Sequence, residues 1–128
     1  MKALLVSPDP GARDLMRLAL AGLERRLGDR IEFVAAEDGE RGLALAEREV
    51  PDLVVADEFA SRLGAFGLAR ELRGAADPYR GVIVVLLERR QDEWLARWSG
   101  ADAWFVKPVD PFVLAERVRD LVTAKERV

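Results

Sequence analysis

Residues 2–16 read KALLVSPDPGARDLM. Leu4, Leu5 and Val6 form a short apolar run that stops at Ser7-Pro8-Asp9-Pro10, and a helical period starts straight after. Pro10 suits the first position of a helix, where a missing N–H costs nothing, and Asp9 before it is a residue type that caps helix starts. The stretch predicts a buried strand running through a tight turn into a helix. In α/β proteins that junction is where ligands commonly sit.

Working outward, the unit repeats. Apolar, β-branched runs bounded by breakers fall at residues 4–6, 31–35, 53–56, 82–87 and 104–106. They are nearly continuous rather than alternating, as expected of parallel strands covered on both faces. Helical periods separate them. Met16, Leu20, Leu23 and Leu27 mark the first, and Leu43, Ala46 and Val50 the second, closed by Pro51. Leu68 and Leu72 mark the third, which Gly74 and Pro78 end. Trp94, Leu95 and Trp98 mark the fourth, stopped at Gly100, and Leu114, Val118, Leu121 and Val122 the fifth, after Pro111. Five strand–helix units with short connections predict an α/β fold, a doubly wound parallel sheet with helices on both faces, over residues 1–128 as one domain.

Composition excludes several chemistries. Half of the residues are apolar, 34% are charged and the net charge is −3. The positive charge is almost all arginine and is spread out, so the basic stripe of a nucleic-acid binder is missing. With no cysteine and no histidine, disulfides, a Ser-His-Asp triad and a His-based zinc site cannot be built. The longest apolar run, residues 82–87, is too short to span a membrane, and a signal peptide is not evident. A cytoplasmic protein is expected.

In a doubly wound sheet the ligand crevice lies beyond the carboxyl ends of the strands. The residues there are 7–9, 57–59, 86–88 and 107–108. Asp57 directly follows LVVA, and Lys107 ends the fifth strand. The two can meet across a small pocket, as a functional pair, as a structural ion pair, or as two solvated residues at loop starts.

Three stretches carry a resemblance: AAEDGERGLALAEREVPDLVVAD at 35–57, GLARELR at 67–73 and SGADAWFVKPVDPFVLAERVRDLV at 99–122. With them the chain resembles, over nearly its whole length, the receiver domain of bacterial response regulators. The resemblance implies the flavodoxin-like fold with strand order 2-1-3-4-5. It implies that Asp57 is the phosphoryl acceptor, that Lys107 contacts the phosphoryl oxygens across a Lys107-Pro108 bond often cis in the family, and that Trp104 is the switch aromatic.

The departures shape the expected function. Receivers hold Mg²⁺ with two acidic residues after the first strand, and Ser7 and Pro8 stand at those positions. Mg²⁺ takes an octahedral oxygen shell, usually with one or two carboxylates, whereas Ser7 offers a neutral hydroxyl and Pro8 no side-chain oxygen. Asp9 comes one position late and reads better as the helix cap, so Asp57 with Asp9 is the remaining candidate metal pair. No serine or threonine lies between Val82 and Trp98, and Leu86 or Leu87 stands where receivers carry a switch hydroxyl. In the loop after Asp57, Ser61 and Ala65 replace the family's proline and glycine. The expected cofactor is none, or Mg²⁺ only if the degenerate site still binds it.

Trp94 and Trp98 share a helical face with Arg97 close by, and these residue types are enriched at interfaces. In receivers the surface of the fourth helix, fifth strand and fifth helix serves dimers or output partners. Trp94, Arg97 and Trp98 are therefore candidate contact residues, with at least one tryptophan expected to be exposed. The leading expectation is an atypical receiver, or pseudo-receiver. It would signal to a histidine kinase or output protein by contact, with homodimer formation through that face and weak or no phosphorylation of Asp57. A conventional phospho-accepting receiver is the alternative. A small nucleotide- or flavin-binding enzyme is disfavoured by the absence of G-x-G-x-x-G and of a P-loop. No nucleic-acid or membrane partner is expected.

Overall fold

Strand and helix alternate along the chain as the apolar runs require. The computed structural model describes residues 1–59 and 62–126, so Ser61 lies outside the described residues. The elements are β1 (Lys2–Val6), α1 (Pro10–Leu27), β2 (Glu32–Ala36), α2 (Gly39–Glu49), β3 (Leu53–Asp57), α3 (Gly64–Gly74), β4 (Val82–Leu87), α4 (Glu93–Ser99), β5 (Ala103–Val106) and α5 (Pro111–Glu126), with a 3-10 turn at Arg90–Asp92 leading into α4. All four strand pairings are parallel, in the order β2-β1-β3-β4-β5. This is the flavodoxin-like, doubly wound arrangement.

Alternate residues of each central strand feed two separate cores, which is why β1, β3 and β4 read as continuous apolar runs. Leu5, Leu53, Val55 and Val84 pack with Met16, Leu20 and Leu23 of α1 and Leu114, Val118 and Val122 of α5. Leu4, Val6, Val54, Ile83 and Leu87 pack with Leu45 and Ala46 of α2, Leu68 and Leu72 of α3 and Ala96 of α4. Each fully buried leucine or valine contributes about 1.5–3 kcal/mol. The edge strand β2 is only partly covered. Among the described residues, no helix is long and apolar enough to cross a membrane.

Asp9 caps α1 through its side chain, which accepts from the Gly11 N–H, and Pro10 opens the helix, as expected. Two helical stripes differ from the sequence reading. Val50 is not part of the α2 apolar face. It is the C-cap, 68% exposed, in the left-handed conformation with φ 45°. Pro51 follows it and disfavours a further helical residue, so the chain turns at Val50 and leaves the core to Leu45. In α4 the buried residues are Ala96 and Ser99, not the tryptophan stripe. A seven-residue helix against the sheet lies close on small side chains, and Trp94 and Trp98 are left 62% and 54% exposed. Both tryptophans therefore face outward.

Candidate functional site

The parallel register brings four strand ends to one edge. Asp57 pairs in register with Leu86 of β4, and Leu87 with Val106, the residue before Lys107. Backbone bonds then hold the turns: the Ser7 N–H donates to the Ala36 carbonyl at 3.1 Å, Glu58 N–H to Leu86 at 2.8 Å, and Lys107 N–H to Leu87 at 2.8 Å. The Lys107-Pro108 bond is cis.

Asp57 sits at the bottom of this edge and is 1% exposed. Its Oδ1 accepts from Lys107 Nζ at 2.7 Å and from the Phe59 N–H at 3.1 Å. Its Oδ2 accepts from Ser7 Oγ at 3.0 Å. Ser7 is fully buried, and its Oγ in turn accepts from the Asp9 N–H at 3.1 Å. Lys107 also meets Glu88 Oε1, and its ammonium lies 5.1 Å from the centre of the Phe59 ring. The Glu88 N–H donates to Glu58 Oε2. The structure thus brings Asp57 and Lys107 together as an ion pair and sets Ser7 against the same carboxylate. Glu88, Glu58 and Phe59, which the sequence placed at the crevice without a role, join them.

No family model matches the chain. It is 35% identical over 109 residues to a response regulatory protein of Mycobacterium tuberculosis, covering 78% of this chain and 80% of that one. This chain belongs to the response regulator receiver family. Transcriptional regulatory protein AfsQ1 of Streptomyces coelicolor is 32% identical over 127 residues, covering 97% of this chain and 52% of the relative. The receiver spans about half the length of several curated relatives that it matches, AfsQ1 among them. In fold it is similar to a CheY-like receiver of Methanospirillum hungatei, with a TM-score of 0.79 at 22% identity over 98% of this chain and 96% of that one. It is similar too to the receiver of sensor histidine kinase PA1611 from Pseudomonas aeruginosa, solved with magnesium in its cleft, with a TM-score of 0.77 at 23% identity over 95% of this chain and 97% of the other.

The charges of this receiver's cleft are set by burial and by one another. Burial pulls the Lys107 ammonium down, but hydrogen bonds to Asp57 and Glu88 outweigh it and hold the group above the ordinary lysine value. It is a fixed positive charge at neutral pH. Glu58 is pushed up to about 7, first by burial and then by a hydrogen bond with Asp92. Asp92 is lowered, chiefly by that same bond and further by Arg89. Glu58 therefore holds its proton to higher pH than Asp92 does.

At the two positions after β1, Ser7 and Pro8 supply none of the one or two carboxylates that Mg²⁺ usually takes. Ser7 gives its hydroxyl to Asp57, and Pro8 has no side-chain oxygen. The Asp9 carboxylate is taken up by the start of α1, where Oδ1 accepts from the Gly11 N–H at 3.0 Å. Asp9, the residue named with Asp57 as a candidate metal pair, thus has its carboxylate engaged as the cap of α1. Among the described residues, no group of three or more His, Cys, Asp or Glu side chains is arranged to hold a metal ion. At the end of β4, Leu86 and Leu87 are both buried and point into opposite cores. Neither can donate a hydrogen bond to an oxyanion.

Trp104 of β5 is half-buried against the α2–α3–α4 core, and its Nε1–H donates to Glu93 Oε2 of α4 at 3.1 Å. The Arg97 guanidinium lies 5.6 Å from the Trp104 ring, and Arg70 of α3 stacks 4.2 Å from the Trp98 ring. The receiver's exposed aromatic face thus has arginines already stacked on it. The signal for Glu88 in the sequence was its place directly after β4, level with the end of β5. Glu58 and Phe59 carried the same kind of signal, directly after β3.

Proposed function

We propose that this chain is an atypical receiver, working over residues 1–128 as one cytoplasmic unit, that signals by protein–protein contact with little or no Mg²⁺-dependent phosphorylation of Asp57. The observation that carries this reading is Ser7. It is buried where receivers place an acidic residue, and its hydroxyl donates to Asp57 Oδ2 at 3.0 Å. Forming an acyl phosphate on Asp57 would gather negative charge at one edge of the sheet, and catalysis of such transfer is positioning plus neutralisation. This cleft supplies one lysine for that purpose, already shared between Asp57 and Glu88. Leu87 supports the same reading, because the hydroxyl that would follow a phosphoryl group is absent.

The partner would be a histidine kinase or an output protein, or a second copy in a homodimer, meeting the face of α4, β5 and α5. Trp94, Arg97 and Trp98 lie on it, and large exposed aromatics beside arginine are the residue types that anchor interfaces.

Incubation with a small phosphodonor and Mg²⁺, followed by intact mass, tests the reading. The expected result is no added phosphate above that found on Asp57→Asn. Mg²⁺-dependent labelling of the wild type that vanishes in Asp57→Asn would make it a conventional phospho-accepting receiver.

A further inference from the structure

The mouth of the cleft is already occupied by an anion that belongs to the chain. Lys107 Nζ lies 2.7 Å from Asp57 Oδ1 and 2.5 Å from Glu88 Oε1. An ammonium has three donors, and two of these point at carboxylates, while the Phe59 ring lies 5.1 Å from the nitrogen. The side chains differ in depth. Asp57 is 1% exposed, whereas Lys107 and Glu88 are 26% and 27% exposed. Glu88 and Lys107 therefore share the mouth of the cleft, with Asp57 buried beneath them.

Glu88 is also held in place. Its N–H donates to Glu58 Oε2, and the Lys107 N–H donates to the carbonyl of Leu87, its chain neighbour. The carboxylate and the ammonium are carried on adjacent strand ends, so their meeting loses no translational freedom. A dissolved oxyanion has to lose that freedom, displace Glu88 and then sit beside two carboxylates.

We propose, building on that reading of the cleft, that Glu88 is a built-in anion for Lys107, which fills the place a tetrahedral oxyanion would take and keeps phosphate-like anions out of the cleft. Lysine meets an anion as a point charge rather than as a shaped fork. The selection is thus one of charge and space, and Glu88 is the group that enforces it at the mouth. With Glu88 neutral or removed, the ammonium keeps one carboxylate and gains a free donor at the mouth.

The probe is inorganic phosphate. Isotope-labelled wild type, Glu88→Gln, Glu88→Ala and Glu88→Ala/Lys107→Met are titrated in EDTA at constant ionic strength, with phosphate replacing chloride. Amide shifts of residues 57–59, 86–88 and 105–107 are followed. Both single variants are expected to bind phosphate at least about tenfold more tightly than the wild type, by the loss of one nearby like charge. The double variant is expected to lose that gain. The same spectra report whether each variant is folded.

Equal affinity in wild type and Glu88→Ala, or no gain in either single variant, overturns the assignment, and so does a gain that survives Lys107→Met. The two readings fail separately. Mg²⁺-dependent labelling of wild type would end the contact reading while leaving a Glu88-dependent gain in phosphate binding intact. No gain at Glu88 would end this assignment and leave the phosphodonor result untouched.

Discussion

Two cation–carboxylate pairs stand at opposite ends of the same sheet. At the amino ends of the strands, Arg73 donates to the carbonyls of Tyr79 at 2.6 Å, Gly81 at 3.0 Å and Gly100 at 3.0 Å, and to Asp102 Oδ2 at 2.7 Å. Asp102 Oδ2 also accepts from the Ile83 N–H at 2.8 Å. At the carboxyl ends, Lys107 Nζ meets the carboxylates of Asp57 and Glu88. Both are partly buried ion pairs, but their other contacts differ. The Arg73 pair is bonded to backbone at four places and ties α3 to the turns before β4 and β5. The Lys107 pair is bonded mostly to side chains and leaves one negative charge in excess. A fork of five fixed donors suits the first task, and a mobile point charge the second. One end is built to hold and the other to present charge.

That division is open to attack by mutation. The largest effect is expected at the holding end. Asp102→Ala removes the partner of a guanidinium and of a strand N–H, and should cost roughly 2–3 kcal/mol. Asp57→Asn keeps the shape of the side chain and leaves Lys107 paired with Glu88, so its cost should stay below about 1 kcal/mol. Urea unfolding of both variants measures the two. Equal losses would break the distinction between the ends.

The next effect is in pH. Glu58 has its carboxyl raised from 4.5 to about 7, so the folded chain holds a proton that the unfolded chain releases. Its contribution favours the fold at low pH, fades as pH rises from about 4.5 to about 7, and is absent above that window. Asp92 is lowered, so its own contribution has the opposite sign and is lost only in more acid solution. Glu58→Gln should flatten the decline. Unfolding midpoints compared at about pH 5 and about pH 8 should fall further for the wild type than for the variant. Identical slopes would place Glu58 outside the charge-bearing end.

The smallest effect is expected away from both pairs. Trp94→Ala and Trp98→Ala remove side chains that are more than half exposed, and each should change stability by no more than about 0.5 kcal/mol. A larger loss in thermal or urea unfolding would mean that these rings support the fold rather than a contact face.

Much of this was legible in the sequence because it is local. The strand–helix alternation follows from apolar runs and breakers, and the cap at Asp9-Pro10 from two adjacent residue types. Asp57 and Lys107 were readable because each directly ends an apolar run, which fixes the edge of the sheet it reaches. Val50 misled because an apolar residue at the right spacing looks helical until Pro51 ends the helix. Trp94 and Trp98 have the spacing of a core stripe, and only the close approach allowed by Ala96 and Ser99 turns them outward. The sequence by itself determined the βα repeat and the edge of the sheet that Asp57 and Lys107 reach, since each depends on residue type and neighbours, while the resemblance to receivers marked Ser7 and Pro8 as standing in place of an acid pair. The tertiary structure decided that Ser7 bonds to Asp57, that Glu88 meets Lys107 and that the Glu88 N–H donates to Glu58. These contacts join residues on different strand ends and loops, and only the parallel register of the folded sheet sets their distances.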